Sequence, residues 1–167
     1  DFIMKDLNRT TCGDGFCFSY TPLDRLVVHN ANMLGGSMLI RLCEFERDDK
    51  SRDAALSSLA YSMQHQRADG SWWYAETDYQ KWIDSFHTGF NLQCLQYFLD
   101  QGEAGQHEEA FRAGRRYYAE HFFLENGTAK YFHDRTYPLD VHSYAQAIAF
   151  FCQQVDEFAS LAQRIAT

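Results

Sequence analysis

The sequence predicts an all-α fold built from stacked helical hairpins, because two patterns recur with a period of 55 to 58 residues. Three glycines, each followed by an aromatic-rich extended segment, recur at this spacing: Gly15, Gly70 and Gly127. Three histidines, each opening a long amphipathic stretch, recur at a similar spacing: His29, His87 and His142. A period of this length with two helices in each unit is typical of helical-repeat proteins.

Each unit is predicted to hold an inner helix and, in the first two units, a complete outer helix. The predicted inner helices are 30–46, 87–100 and 142–156. The predicted outer helices are 51–66, for which Ser51 is the expected N-cap, and 106–122. The chain is therefore predicted to be one α/α-hairpin repeat domain over 1–167, with repeats of approximately 10–66, 67–122 and 123–167.

The segments between units are predicted to be long aromatic loops that share one end of the molecule. The short turns within the hairpins lie at the opposite end, and the first of them carries Asp48 and Asp49. Because these acids precede a helix, we expect them to cap it and to be solvated, not to bind a metal.

Composition excludes several classes of protein. The net charge of −8 argues against a nucleic-acid-binding surface. No apolar run reaches the roughly 20 residues that span a bilayer, so we expect no membrane span. Five cysteines without paired spacing favour a reducing, cytoplasmic setting.

The stretch QRADGSW, Gln66 to Trp72, fits the Q-x3-G-x-W repeat signature of terpenoid cyclases and related α/α toroids. The long-loop hairpins with aromatics and acids also resemble six-hairpin glycosidases, sugar epimerases and polysaccharide lyases. Nearly the whole chain resembles uncharacterised helical-barrel proteins of bacterial polysaccharide gene sets. The resemblance implies an α/α toroid (barrel) fragment of about three hairpins, part of a larger (α/α)6-type barrel completed by further sequence or by a second copy.

In such barrels the ligand cleft lies where the long loops enter the inner helices. Two acid–histidine pairs fall there and are the predicted catalytic residues: Asp84, His87, Asp140 and His142. Such pairs can act as acid and base if their pKa values are shifted. Neighbouring helix starts about 8–10 Å apart would place the two carboxylates near the spacing that glycoside hydrolysis uses.

Aromatic, amide and charged residues surround these pairs in a composition typical of sugar sites, where rings stack on pyranose faces and amides bind hydroxyls. The predicted substrate-binding residues are His29, Asn32, Trp73, Tyr74, Asn91, Asp134, Arg135, Tyr137 and Gln146. Helix starts carry partial positive charge, which favours an acidic oligosaccharide such as one containing uronate. Trp72, within the repeat signature, is expected to serve packing.

The leading interpretation is therefore a carbohydrate-active or carbohydrate-binding protein of polysaccharide metabolism, of lyase, hydrolase or epimerase type. The alternatives are an enzyme like a terpenoid cyclase or prenyltransferase, and a non-catalytic helical-repeat scaffold whose histidines and acids are helix caps. We expect no cofactor and no metal, because helix starts about 8–10 Å apart do not converge to ligand distances of about 2 Å. We also expect a homo-oligomer, since apolar residues surround much of the first inner helix.

Overall fold

The computed structural model describes the backbone of residues 1–167 and the side chains of all of them except 155–157. The chain is all-α, as predicted, with one small antiparallel sheet. Its helices are α1 (Phe2–Lys5), α2 (His29–Leu42), α3 (Asp49–Gln64), α4 (Ser85–Asp100), α5 (Glu108–Phe122), α6 (Val141–Phe151) and α7 (Val155–Ala166). The sheet pairs β1 (Arg9–Cys12) with β2 (Gly15–Phe18), and short 3-10 turns cover Asp78–Gln80 and Gly105–His107.

Three helical hairpins, α2–α3, α4–α5 and α6–α7, follow one another along the chain, one in each predicted repeat. The first helices of the hairpins form a row, with α4 packed between α2 and α6. The buried core runs through all three hairpins and includes Met33, Leu59, Phe98, Tyr118 and Phe150. The long loops enter at the N-terminal ends of α2, α4 and α6. The candidate site lies at that end.

The predicted helix bounds agree with the structure to within two residues except at the ends of the first and third inner helices, and the predicted N-cap Ser51 is wrong. The first inner helix ends at Leu42 instead of residue 46. Asp48, not Ser51, is the N-cap of α3: its carboxylate accepts the Lys50 N–H, and the Ser51 hydroxyl donates to it at 2.6 Å. The third inner helix ends at Phe151 instead of residue 156, and a third outer helix, α7, follows it. That helix was missed because the Gln153–Gln154 turn is short and polar but contains no glycine or proline.

Consecutive units are joined by the same backbone pairing. The segment before α2 pairs with residues 74–76 of the next loop, through His29 N–H to Tyr74 carbonyl (3.3 Å). The segment before α4 pairs in the same way with residues 131–133, through Ser85 N–H to Tyr131 carbonyl (2.9 Å). The second and third long loops are therefore each anchored to the start of the preceding inner helix.

Each repeated glycine lies against the outer helix of the hairpin that follows it. A Cβ added to Gly15, Gly70 or Gly127 would lie 2.7, 2.6 or 2.0 Å from a carbonyl oxygen of α3, α5 or α7, respectively. Gly70 and Gly127 also have positive φ angles of 92° and 86°. Only glycine fits a backbone contact of this kind.

The Q-x3-G-x-W segment forms a joint between the first two hairpins. The Gln66 side chain donates to the carbonyl of Gly70 (2.9 Å) and to that of Ala110 in α5 (3.0 Å). The Trp72 indole N–H donates to the Ser62 carbonyl of α3 (2.8 Å), and the ring is 2% exposed. Trp72 thus serves packing, as expected.

The three histidines, in contrast, are not structurally equivalent. The N-caps of the inner helices are Val28, Asp84 and Asp140, spaced by 56 residues each. Counted from these caps, His29 is the first residue of its helix, His87 the third and His142 the second. The histidine repeat read from the sequence is therefore not a structural register, because the cap and the backbone pairing fix where each helix begins.

The surface of α2 is less apolar than the sequence suggests. Leu39 and Ile40 are buried in the core, and only Met38 and Leu42 remain exposed on this helix as large hydrophobic side chains.

No helix in the part of the chain that the structure describes is long and apolar enough to cross a membrane.

The contact of Gly70 with α5 gives a test of the joint. Gly70→Ala adds backbone strain that costs about 1–3 kcal/mol. The added Cβ also lies 2.5 Å from the carbonyl carbon of Ala113, and this clash costs about 1–3 kcal/mol more. Gly102→Ala is the matched control: Gly102 has φ +75° but no atom within 4 Å of an added Cβ. Urea unfolding should show a loss at Gly70 clearly larger than the roughly 1 kcal/mol expected at Gly102. Equal losses would mean that the joint is not rigid.

Candidate functional site

The start of α4 carries a carboxylate–imidazole pair. Asp84 is the N-cap, and its Oδ1 accepts the backbone N–H of His87 at 2.9 Å. The Nδ1 of the same histidine lies 2.8 Å from both carboxylate oxygens. One carboxylate therefore caps the helix and orients the imidazole, which leaves Nε2 as the nitrogen available to a ligand.

Two aromatic side chains hold this pair in place. The Trp82 indole N–H donates to Asp84 Oδ2 at 2.9 Å. Tyr74 stacks on Trp82, with ring centroids 4.7 Å apart, and meets the edge of the His87 ring at 4.6 Å. With three donors on its carboxylate and 4% exposure, Asp84 is a buried acceptor with a fixed orientation.

A second pair stands at the start of α6. Asp140 is the N-cap, accepting the His142 backbone N–H at 3.3 Å and its Nδ1 at 3.0 Å. This pair is much more open, since the His142 side chain is 71% exposed. Partial burial raises the pKa of Asp140, but hydrogen bonds and charge from His142 outweigh burial and hold that pKa below its usual range. Asp140 is therefore ionised at neutral pH.

The two pairs meet at one open cleft with a volume of about 530 Å³. Its lining residues are Phe86, His87, Tyr131, Pro138, Leu139, Asp140 and His142. Phe86 lies between the imidazoles, 5.3 Å from the His87 ring and 5.8 Å from the His142 ring. The cleft thus combines two carboxylate-oriented imidazoles with aromatic and apolar walls.

This chemistry suits proton transfer. A carboxylate that accepts from Nδ1–H fixes the tautomer in which Nε2 carries a lone pair, so Nε2 can accept a proton or bind a polar group. The same arrangement orients histidine metal ligands. However, no group of three or more metal-ligating side chains that could hold an ion was found among the described residues.

Of the predicted catalytic residues, three line the cleft and one does not. His87, Asp140 and His142 are brought together as expected. Asp84 lies behind His87, with both oxygens occupied by Trp82 and His87. The cleft therefore does not hold two carboxylates that face each other across a ligand.

The first unit carries a buried hydrogen-bond chain in place of a site. Asn32 donates to the Ser62 hydroxyl (2.9 Å), which lies 3.2 Å from His29 Nδ1, and His29 Nε2 lies 2.8 Å from Glu76. The chain is satisfied with a neutral imidazole that donates to an ionised Glu76. His29, Asn32 and Ser62 have no exposed surface, so they serve the fold and cannot touch a substrate.

The other predicted binding residues are dispersed. Asn91 and Gln146 are buried, and Gln146 donates to Gln93 at 2.9 Å. Trp73 packs under the Arg67 guanidinium. Three more lie on the exposed third loop outside the cleft lining: Asp134, Arg135 and Tyr137. Of the predicted binding set, Tyr74 packs its ring against the His87 ring of the cleft.

Sequence reasoning missed Phe86, Tyr131, Pro138 and Leu139, which line the cleft. The spacing of the caps could have identified Phe86. It lies two residues after the cap Asp84, and His142 lies two residues after the cap Asp140, so the two residues take equivalent positions on their helices. The remaining three come from the third loop, whose path follows from its pairing with the start of α4.

Comparisons with family models, with curated proteins and with solved structures found no match to this chain.

The buried chain of His29 predicts a pH dependence of stability. Burial lowers the pKa of His29 below 6.5, and the hydrogen bond from His29 lowers the pKa of Glu76 below 4.5. In both cases the unfolded chain binds more protons, so stability is complete above about pH 6.5 and falls as the pH drops. In urea unfolding, His29→Gln should reduce the loss of unfolding free energy between pH 7 and about 5.5. Burial also lowers the pKa of His107, so a smaller loss remains in the variant. An unchanged slope would contradict a neutral, buried His29.

Proposed function

We propose that the cleft between the starts of α4 and α6 is a carbohydrate site. The observation that carries this proposal is the pair of carboxylate-oriented imidazoles, His87 and His142, on one open cleft with aromatic walls. Imidazole and carboxylate groups bind sugar hydroxyls, and the rings of Phe86 and Tyr131 offer surfaces for pyranose faces. The open shape suits a chain-like ligand better than an enclosed terpenoid.

Among the reaction types of this class, elimination or epimerisation fits better than hydrolysis. Hydrolysis by the usual route needs two carboxyl groups across the bond, whereas here Asp84 is engaged behind His87. Removal of a proton next to a uronate carboxylate needs a base and an acid, and two imidazoles can supply both. This supports an acidic oligosaccharide as the ligand, with a protonated imidazole as its counter-charge.

We also propose that the three hairpins form an arc of an α/α barrel, with α2, α4 and α6 on the inner side. Support comes from the row of inner helices and from the repeated joints.

We further propose the cytoplasm as the compartment. All five cysteines are free thiols, which supports a reducing setting.

A second candidate function is a non-catalytic helical-repeat scaffold. It is favoured by one specific observation: Asp84 and Asp140 are both N-caps, so each has a structural role that needs no ligand. The two functions differ in what the imidazoles do, and variants that keep the caps can separate them.

Asp84→Asn keeps a good N-cap, because asparagine caps about as well as aspartate. Its amide NH2 replaces the oxygen that accepts from Trp82, so the side chain no longer accepts from both Trp82 and His87 and the imidazole loses its fixed orientation. His142→Ala removes an exposed imidazole without disturbing the core. Both variants should weaken binding of uronate-containing oligosaccharides by about tenfold or more, a change of about 1.4 kcal/mol or more. Isothermal titration with uronate-containing and neutral oligosaccharides of defined length measures this.

The control is His121→Ala, which removes an exposed histidine of α5 outside the cleft lining. It should leave binding unchanged and lower the melting temperature only slightly, because it removes the stack of His121 on Tyr117. If the native protein binds none of the oligosaccharides, or if the two cleft variants bind as well as the control, the carbohydrate site is wrong and the scaffold remains.

A further inference from the structure

The pairing between the second long loop and the start of α2 combines backbone and side-chain hydrogen bonds on the same two residues. The His29 N–H donates to the Tyr74 carbonyl (3.3 Å), and the Glu76 N–H donates to the Val27 carbonyl (3.2 Å). The side chains of His29 and Glu76 also bond to each other, with Nε2 2.8 Å from Oε1. A hydrogen bond to an ionised acceptor is about twice as strong as one between neutral groups, so the side-chain bond is the strongest of the three.

The equivalent pairing before α4 is held differently. Its corresponding residues are Ser85 and His133. Their side chains bond elsewhere: the Ser85 hydroxyl lies 3.4 Å from that of Tyr118, and His133 Nδ1 lies 3.3 Å from the carbonyl of Ile83. The charged side-chain bond therefore belongs to the first pairing and not to the second.

Tyr74 connects the first pairing to the cleft. Its N–H donates to the Trp82 carbonyl (2.8 Å), and its ring stacks on Trp82 and packs on the edge of the His87 ring. Trp82 in turn donates its indole N–H to Asp84, which orients His87. Because Tyr74 lies two residues before Glu76, loss of the pairing frees the residue that packs on the cleft imidazole.

His29 fits its place only as a neutral imidazole. The Asn32 amide donates to the Ser62 hydroxyl (2.9 Å), so that hydroxyl has its own hydrogen free for His29 Nδ1, 3.2 Å away. A proton on Nδ1 would remove this acceptor and would place a cation on a side chain with no exposed surface, which costs free energy unless its partners compensate it fully. Burial accordingly lowers the pKa of His29, and the Glu76 carboxylate offsets only part of that effect.

Four other titratable groups act on the pair from the elements packed around it: His65, Tyr61, Cys17 and Lys81. The His65 ring of α3 lies 5.5 Å from the His29 ring, and positive charge on it disfavours a second charge on His29. Burial raises the pKa values of Tyr61 and Cys17 to about 12, so both stay neutral between pH 7 and about 5.5. The hydrogen bond from His29, with the charge of Lys81, lowers the pKa of Glu76 and keeps this acceptor ionised in the same range.

We propose that the His29–Glu76 pair positions the His87 wall of the cleft, and that acid detaches residues 74–76 from the start of α2 and with them the Tyr74 ring from His87. In the detached state His29 is exposed to water and binds a proton at its ordinary pKa of about 6.5. Because the attached state has a lower pKa, the detached fraction grows as the pH falls below about 6.5, at most about tenfold per pH unit for one proton. This coupling is a property of the chain alone and holds whatever the cleft binds.

Residue-resolved amide hydrogen exchange by NMR tests the coupling without a ligand. The N–H groups of Tyr74 and Glu76 report detachment of the loop, and the N–H of His87 reports the cleft wall. After correction for the intrinsic exchange rate, opening at all three should rise severalfold between pH 7 and about 5.5, and at most about tenfold per pH unit. The Lys130 N–H, bonded to the end of α5 in the third loop, is the reference and should show no such rise.

Three variants separate the role of the pair from other effects of acid. His29→Gln removes the proton-binding group but keeps an amide that can donate to Glu76, so the rise that His29 causes should disappear from Tyr74, Glu76 and His87. Glu76→Gln keeps a neutral acceptor and removes the charge that partly offsets protonation of His29, so the rise should persist and become steeper. The matched control is His107→Gln, which removes a second histidine whose pKa burial lowers, in the turn before α5. It should keep the native response.

Four outcomes would overturn the proposal. Opening at Glu76 that does not change with pH in the native chain, or that changes equally in His29→Gln, rejects the role of the pair. A rise at Glu76 and Tyr74 without one at His87 rejects the positioning of the cleft wall. An equal rise at Lys130 means that acid loosens the whole chain, which rejects local detachment.

Discussion

The close approach of a loop glycine to an outer helix determines how each hairpin is placed. At Gly70 the loop backbone lies so near Ala113 that no side chain fits between them, and Gln66 and Trp72 tie the same loop to the two outer helices. Because the loop is held at this point, its next residues reach the start of the preceding inner helix and pair with it. The caps, and with them the imidazoles of the cleft, take their positions from that chain of contacts.

The hairpins can differ in detail while this framework stays the same. Gly36 of α2 faces Ser58 of α3, whereas the equivalent pair in the second hairpin is Leu92 facing Gly114. The larger residue of the pair has changed sides, and the residue opposite it is a glycine in both hairpins. Tyr61 stacks on His65 in α3 as Tyr117 stacks on His121 in α5. Packing between the two helices thus tolerates exchange of residue types where a glycine faces the larger side chain.

The sequence was sufficient to predict the all-α class, the inner and outer helices of the first two units and the packing role of Trp72, since glycine spacing and apolar periodicity reflect backbone constraints directly. It was not sufficient to place the histidines. His29, His87 and His142 share a spacing but occupy the first, third and second positions of their helices, and successive positions on a helix point about 100° apart. As a result His29 is buried while His142 is exposed, a difference that depends on tertiary pairing and not on local pattern.

The use of one carboxylate for two tasks has a dynamic consequence. At α6, the oxygen of Asp140 that holds the first helical turn closed also holds the His142 ring. Fraying of that turn therefore also releases the imidazole. At α4 the corresponding event must also break the indole hydrogen bond of Trp82, so it occurs more rarely. We therefore expect the wall of the cleft at α6 to open more often than the wall at α4, and amide hydrogen exchange at the start of each helix measures the difference.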